Sequence, residues 1–75
     1  MCFSNELEKR FVGHFLELAI SLEHLAKSHW KVDDRDKMKY LLELKEKSDK
    51  IVYAYARYSE GKTRDAEEIL ENVIW

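Results

Sequence analysis

The stretch LLELKEKSDKIVYAYARY, residues 41–58, decides the fold of this chain. Within it, apolar or small side chains recur at alternating intervals of three and four residues, which makes a seven-residue repeat. These positions are Leu41, Leu44, Ser48, Ile51, Tyr55 and Tyr58. A repeat of this length is typical of helices that pack nearly antiparallel in left-handed bundles. We therefore predict a long helix here, with one seam packed against another helix.

Ser48 is the polar member of this seam. Its hydroxyl could bond back to the preceding turn, and its small size would then leave room for a facing side chain. A buried polar group in a seam can also fix the register of two helices or the number of partners. The sequence leaves both interpretations open.

Long helices are expected along the whole chain, because proline is absent and Gly13 and Gly61 are the only glycines. Capping residues mark the ends. Asn5 has the spacing of a capping box with the glutamate that follows three residues later, and Asp33 or Asp34 suits the start of the second helix. Gly61 suits the left-handed residue after a helix, and Thr63 is expected to cap the third helix. The predicted helices span residues 5–29, 34–59 and 64–75 of a single domain, 1–75.

The first helix carries an apolar face wider than one neighbouring helix can cover. Its main stripe is extended around the helix by Val12, Leu16 and Ile20. We therefore predict an all-α protein in which an antiparallel long helical hairpin and a short C-terminal helix assemble into an oligomeric helical bundle. Val12, Leu16 and Ile20 are the expected oligomer interface, together with Trp75, a terminal indole suited to fill a core or an interface.

Size and composition agree with self-association. A chain of 75 residues buries only about 60% of the surface of its unfolded form, and small domains compensate with disulfides, metals or partners. Cys2 is the single cysteine, so no internal disulfide is possible. The chain has no apolar run long enough to span a membrane, and we expect a cytoplasmic protein without a membrane partner. The net charge of −2 makes nucleic acid an unfavourable partner.

Three histidines on the first helix raise the question of a metal site. His14, His24 and His29 accompany Glu17 and Glu23, but no pair has the four-residue spacing of helical zinc ligands. We predict no metal and no cofactor. His14 and His29 are instead expected to be partly buried on the apolar side, with His24 in solvent.

No catalytic motif is found either, and we predict that the protein is not an enzyme. The serines have no base and orienting group at a recognisable spacing. Gly61, Lys62 and Thr63 match the end of a phosphate-binding loop, but the first glycine of that motif would fall at Ala56, inside a helix.

The region from Ala54 to Leu70 resembles part of one tetratricopeptide repeat in its small, glycine and large apolar positions, including Gly61. The resemblance covers about twenty residues, and Lys50 and Arg57 stand where the repeat has bulky residues. It implies a helix, turn, helix geometry around Gly61.

One surface of the second helix is a candidate binding site. Lys50, Tyr53 and Arg57 lie at spacings of three and four residues outside the seam, and Arg64 follows in the third helix. An aromatic ring between two cations can stack on a nucleotide base while the cations hold phosphate. Tyr and Arg are equally favoured in protein interfaces, and a cation resting on a solvated ring is the simplest alternative.

Three functions remain open at this point. The first is a non-catalytic interaction protein that acts as an oligomer and blocks or scaffolds a partner macromolecule, as a phage or mobile-element accessory or inhibitor protein would. The second is an oligomeric bundle that binds or sequesters a small nucleotide at Lys50, Tyr53, Arg57 and Arg64. The third is a helix-turn-helix nucleic-acid binder, which the acidic third helix disfavours.

Overall fold

The computed structural model describes residues 5–31 and 33–75, and within them every regular element is a helix. The predicted all-α class is confirmed. The helices are α1, Glu6–Lys27, α2, Arg35–Ser59, and α3, Thr63–Glu71. None of the helices in the described ranges is long and apolar enough to cross a membrane.

The first two helices begin where the capping residues predict. The side chain of Asn5 accepts a hydrogen bond from the backbone N–H of Glu8 at 2.8 Å. The side chain of Asp34 accepts one from the N–H of Lys37 at 3.2 Å. Each bond satisfies an amide that has no partner within its helix, and each carboxamide or carboxylate lies at the positive end of the helix dipole.

α1 ends at Lys27, two residues before the predicted end at residue 29. Three groups converge on the carbonyl of Leu25: the N–H and hydroxyl of Ser28, and the indole N–H of Trp30 at 3.0 Å. Because Ser28 is already in an extended conformation, the chain leaves the helix there. The indole of Trp30 folds back over the helix end and satisfies a carbonyl that the helix leaves unpaired.

The turn between α2 and α3 depends on Gly61, as predicted. Its φ of 85° lies in the left-handed region, where a side chain would be strained. The N–H of Gly61 donates to the carbonyl of Tyr58 and that of Lys62 to the carbonyl of Arg57, both at 3.0 Å. This pair of bonds is the Schellman arrangement. The prediction that Thr63 caps α3 is wrong, because Thr63 is already the first helical residue and Lys62 precedes it without a side-chain cap.

α3 is shorter than predicted and ends at Glu71 instead of Trp75. The side-chain amide of Asn72 donates to the carbonyl of Glu68 at 2.9 Å, and the N–H of Val73 bonds to the carbonyl of Leu70. These short-range bonds close the last turn, so the final residues leave the helix axis. Val73 is thereby buried, and Trp75 reaches α1.

The main hydrophobic core lies where all three helices meet. Its buried members are Leu7, Phe11, Ile51, Ala54, Ala66, Leu70 and Val73. Ala54 and Ala66 are fully buried, and their small side chains let α3 approach α2 closely. At the edge of this core, the hydroxyl of Tyr58 donates to Glu8 at 2.7 Å and accepts from Asn5 at 3.2 Å. These bonds join the start of α1 to the end of α2.

Away from this core the molecule is thin. The radius of gyration is 14.4 Å, against about 11 Å for a compact domain of this length. The principal extents are 44 × 24 × 16 Å, and the shortest allows only two layers of helix. α3 has only nine residues and covers one end. Beyond the three-helix core, Leu25 and Leu44 are the only buried apolar residues in the described ranges.

Candidate protein-binding surfaces

The structure brings part of the predicted Lys50, Tyr53, Arg57 and Arg64 surface to a groove between α2 and α3. The groove has a volume of about 400 Å³ and is lined by Asp49, Lys50, Tyr53, Ile69 and Asn72. Tyr53 and Ile69 supply its large apolar side chains, and Asp49, Lys50 and Asn72 supply its polar groups. A concave apolar site with a few polar groups is the usual form of a small-molecule site, and this volume lies within the ordinary range.

Arg57 is held by its own helix and does not line this groove. Its Nη2 and Nε donate to the hydroxyl of Tyr53 at 2.6 and 3.1 Å, and its guanidinium carbon lies 5.1 Å from the centre of the Tyr53 ring. Nη1 also contacts Glu60 at 3.3 Å. The hydrogen bond to Tyr53, with the nearby Glu60 and Asp65 carboxylates, raises the pKa of Arg57 above its ordinary value. The cation is thus partly neutralised by neighbours that would repel a phosphate.

Arg64 is exposed in the first turn of α3 and does not line the groove either. The surface around it is acidic. The exposed side chains of α3 include Asp65, Glu67, Glu68 and Glu71. A phosphate backbone would be repelled by this helix, so its charge does not suit a recognition helix for nucleic acid.

The predicted oligomer interface on α1 is largely in solvent within the single chain. Leu16 is 58% and Ile20 48% exposed, while Val12 is half-buried. They belong to a much larger set of exposed apolar side chains. Its other large members are Phe15, Leu22, Trp30, Met38, Tyr40, Leu41, Leu42, Val52, Tyr53, Tyr55, Ile74 and Trp75.

A second apolar surface runs along both long helices on the side away from α3. We call it the open face. Leu18, Leu22, Leu41 and Ser48 line its cleft, and the exposed Phe15, Val52 and Tyr55 lie on the same sides of α1 and α2 by helical spacing. Its centre is a cleft of about 210 Å³, in which Leu18 and Leu22 of α1 meet Leu41, Leu44 and Ser48 of α2. Nothing in the described ranges packs over the exposed members of this surface.

The sequence did not predict the open face as a surface. Leu41 and Tyr55 belong to the seven-residue seam, and the seam was expected to pack as a unit. In the structure, Leu44 and Ile51 are buried within the chain, whereas Leu41 and Tyr55 remain exposed. The width of the apolar arc on each helix was the available signal, since a helix that packs on one side needs a narrower arc.

Trp75 contacts both long helices of its own chain. Its indole N–H donates to Nδ1 of His14 at 2.9 Å, and the ammonium of Lys47 lies 4.8 Å from the centre of its ring. Burial lowers the pKa of His14, and the nearby Arg10 lowers it further, while Glu17 acts in the opposite direction. The neutral imidazole is therefore the form that accepts the indole hydrogen bond.

The other histidines do not join a cluster. His14 is half-buried and hydrogen-bonded as predicted, but the prediction of partial burial is wrong for His29, which lies exposed after the end of α1. Between residues 5 and 75, Val32 excepted, no three potential metal ligands come together. Cys2 lies outside the described residues.

Comparison with protein families, curated proteins and solved structures finds no match to this chain. The functional inference therefore rests on the surfaces described above.

Proposed function

We propose that this chain is a non-catalytic interaction protein that works as a helical oligomer and binds, and so blocks or scaffolds, a partner macromolecule. In this proposal α1 and α2 form an antiparallel hairpin that is one building block of a larger bundle. The observation that carries the proposal is the amount of apolar surface that a single chain leaves in water.

The size of that surface can be compared with the surface of ordinary monomers. The chain exposes 5893 Å², whereas a folded monomer of 9.0 kDa is expected to expose about 4,850 Å². The excess of about 1,000 Å² resembles the area of about 800 Å² that each partner contributes to a standard protein interface. Because the exposed residues include Leu16, Ile20 and the open face, association would remove mainly apolar surface from water.

Two separate apolar surfaces also suit a protein that binds both a second copy of itself and a different macromolecule. Leu16 and Ile20 point away from the cleft that contains Leu18 and Leu22, since they lie a third of a turn or more from those two leucines around α1. One surface can therefore assemble copies while the other remains available. Val12, Leu16 and Ile20 are the residues proposed for an intermolecular contact on α1.

The test is the molar mass of the purified protein by light scattering and sedimentation across micromolar concentrations. We expect a mass that is a multiple of 9.0 kDa and decreases on dilution. A double substitution, Leu16→Lys with Ile20→Lys, tests the contribution of the outer α1 surface. His24→Lys is the matched control, because it adds a lysine at an exposed polar position of the same helix. A wild-type chain that stays monomeric with a cooperative thermal transition contradicts the proposal.

Nucleotide binding is the second candidate, because the groove that contains Lys50 and Tyr53 has the size of a small-molecule site. Its test is a thermal-shift series with mono-, di- and cyclic nucleotides. A ligand at 100 times its dissociation constant should stabilise the fold by about 2.7 kcal/mol. The shift should disappear in Lys50→Ala and persist in Lys39→Ala, an exposed lysine of the same helix. Absence of a shift with every nucleotide excludes this candidate.

A further inference from the structure

The open face is an apolar surface that the two long helices share, and three of its residues are evenly spaced along α2. Leu41 precedes Ser48 by seven residues, and Tyr55 follows Ser48 by seven. Seven residues are almost two helical turns, so all three lie on one side of the helix. Ser48, the smallest of them, is in the middle, half-buried, and lines the cleft.

We propose that the open face binds a second copy of this chain, with α2 of the two copies antiparallel across a two-fold axis at Ser48. This inference rests on the proposed self-association and names the surface that produces it. The two copies of α1 and α2 then form a four-helix bundle, and each copy of α3 remains on the outside.

A two-fold axis at Ser48 pairs large residues with large residues and places the small one at the closest approach. Leu41 of one copy meets Tyr55 of the other, and Leu44 lies level with Val52. Ser48 meets its own copy, where a short side chain lets the two helices come near. In this arrangement Ser48, the polar residue of the seam, fixes the register of the two helices.

Two residues of opposite charge lie close to Ser48 along α2. Lys45 lies three residues before Ser48 and Asp49 one residue after it, and the two form an ion pair at 2.9 Å within the chain. In the antiparallel pair, Lys45 of one copy and Asp49 of the other lie about 3 Å apart along the helix axis. Along the same axis the two lysines lie about 9 Å apart and the two aspartates about 3 Å apart, so each ammonium is nearer to a carboxylate than to the other ammonium, and the lysines offset the repulsion between the two carboxylates.

The area agrees with a contact of this kind. The chain exposes about 1,000 Å² more than a monomer of its mass, and a standard interface takes about 800 Å² from each partner. The exposed side chains of the open face are apolar and include Phe15, Leu22 and Tyr55. An unrelated protein partner would not need the symmetry about Ser48, whereas a second copy does.

The first experiment places a charge on each of two equally exposed apolar residues. Val52 is 57% exposed on the open face, and Leu16 is 58% exposed on the outer side of α1. Val52→Lys should weaken dimerisation by about tenfold or more, because the ammonium would be buried without a partner. Leu16→Lys should leave the dimer intact. Lysine is at least as good a helix former as valine, and circular dichroism confirms that each variant remains helical.

The second experiment uses symmetry directly. In a Cys2→Ser background, Ser48→Cys should form a disulfide-linked dimer in oxidised glutathione, because a residue on a two-fold axis meets its own copy. Two cysteine thiols are oxidised and one glutathione disulfide is reduced to two thiols. Leu42→Cys is the control: its two copies would lie about 18 Å apart along the helix axis, too far for a disulfide.

The outcomes separate this inference from the proposed function. A dimer that Val52→Lys dissociates and Ser48→Cys cross-links supports the open face as the contact. A wild-type oligomer that Leu16→Lys dissociates, while Ser48→Cys stays uncross-linked, overturns this inference and leaves the proposed function standing. A wild-type monomer at every concentration overturns both.

Discussion

Two leucines on nearly opposite sides of α2, two residues apart in sequence, give a controlled test of the packing of this helix. Leu44 is 2% exposed and Leu42 is 58% exposed. Leu44→Ala removes buried methyl groups and leaves a cavity, at a cost of about 2.7–5 kcal/mol. We expect a value near the lower limit, about 3 kcal/mol, because Leu44 borders the open cleft and its surroundings can relax. Leu42→Ala should change the free energy of unfolding by less than about 0.5 kcal/mol.

A loss of this size is large for this chain. At about 0.05–0.15 kcal/mol per residue, 75 residues give a total stability of about 4–11 kcal/mol. For a domain of this length each kcal/mol corresponds to about 4–8 °C in melting temperature, so Leu44→Ala should melt at least about 12 °C below wild type. The two substitutions change the same residue type in the same helix and alter helix propensity equally. The difference between their free energies of unfolding therefore measures the effect of burial.

The assay is urea unfolding followed by circular dichroism, with all three proteins at one concentration because association would add stability. The dependence of free energy on urea should keep the same slope, so that the change in midpoint reports stability alone. Equal losses for the two variants, or a larger loss for Leu42→Ala, would refute the assignment of Leu44 to the interior.

Four further substitutions test single residues. Gly61→Ala should destabilise by about 1 kcal/mol because φ there is positive, whereas Gly13→Ala should stabilise by about 0.5–1 kcal/mol, since a methyl group on this helical glycine meets no atom within 4 Å; thermal unfolding measures both. Tyr58→Phe removes the hydroxyl that joins α1 to α2 and should cost about 1 kcal/mol in urea unfolding. His14 should make stability depend on pH: its pKa is lowered from 6.5 by folding, so the unfolded chain binds the proton more readily. The free energy of unfolding should therefore decrease as the pH falls below 6.5 and level off below the folded-state pKa. Protonation of His14 also removes the acceptor for the Trp75 indole. In a profile of melting temperature against pH, His14→Gln should flatten this part of the curve.

Each of these has a matched control. Tyr40→Phe removes a hydroxyl from another tyrosine of α2 that is largely exposed, and a loss equal to that of Tyr58→Phe would argue against the bond to Glu8. His24→Gln changes an exposed histidine of α1 and serves as the reference for the pH profile. An unchanged profile in His14→Gln contradicts a role for the indole hydrogen bond. A stabilising Gly61→Ala contradicts the left-handed turn.

Local chemistry made the helices predictable. Asn5 and Asp34 each cap an amide three residues away, and Gly61 ends α2 through bonds within the same turn. Such interactions need no distant partner, so reading along the chain is enough to find them. Where a helix end depends on residues that fold back, as with Trp30 on Leu25, the predicted boundary moves by two residues.

The candidate sites depended more on distant contacts. Spacing alone grouped Lys50, Tyr53 and Arg57, but only the first two line the groove. Its other wall comes from Ile69 of α3 and from Asn72 just after that helix, and the Arg57 guanidinium turns to the Tyr53 hydroxyl. Whether an arginine binds a phosphate or a neighbouring phenol depends on which of the two lies near its guanidinium. The spacing of residues along the sequence does not give that distance.

The sequence by itself determined that residues 41–58 form a helix with a seven-residue seam, because periodicity and capping act within one element. Only the tertiary structure decided that the seam is divided. α3 has nine residues, enough to enclose Ile51 and Ala54 at one end but too few to reach around α2 and cover Leu41, Val52 and Tyr55. An apolar pattern specifies which side of a helix avoids water, and the length and position of its neighbours specify how much of that side is covered within one chain.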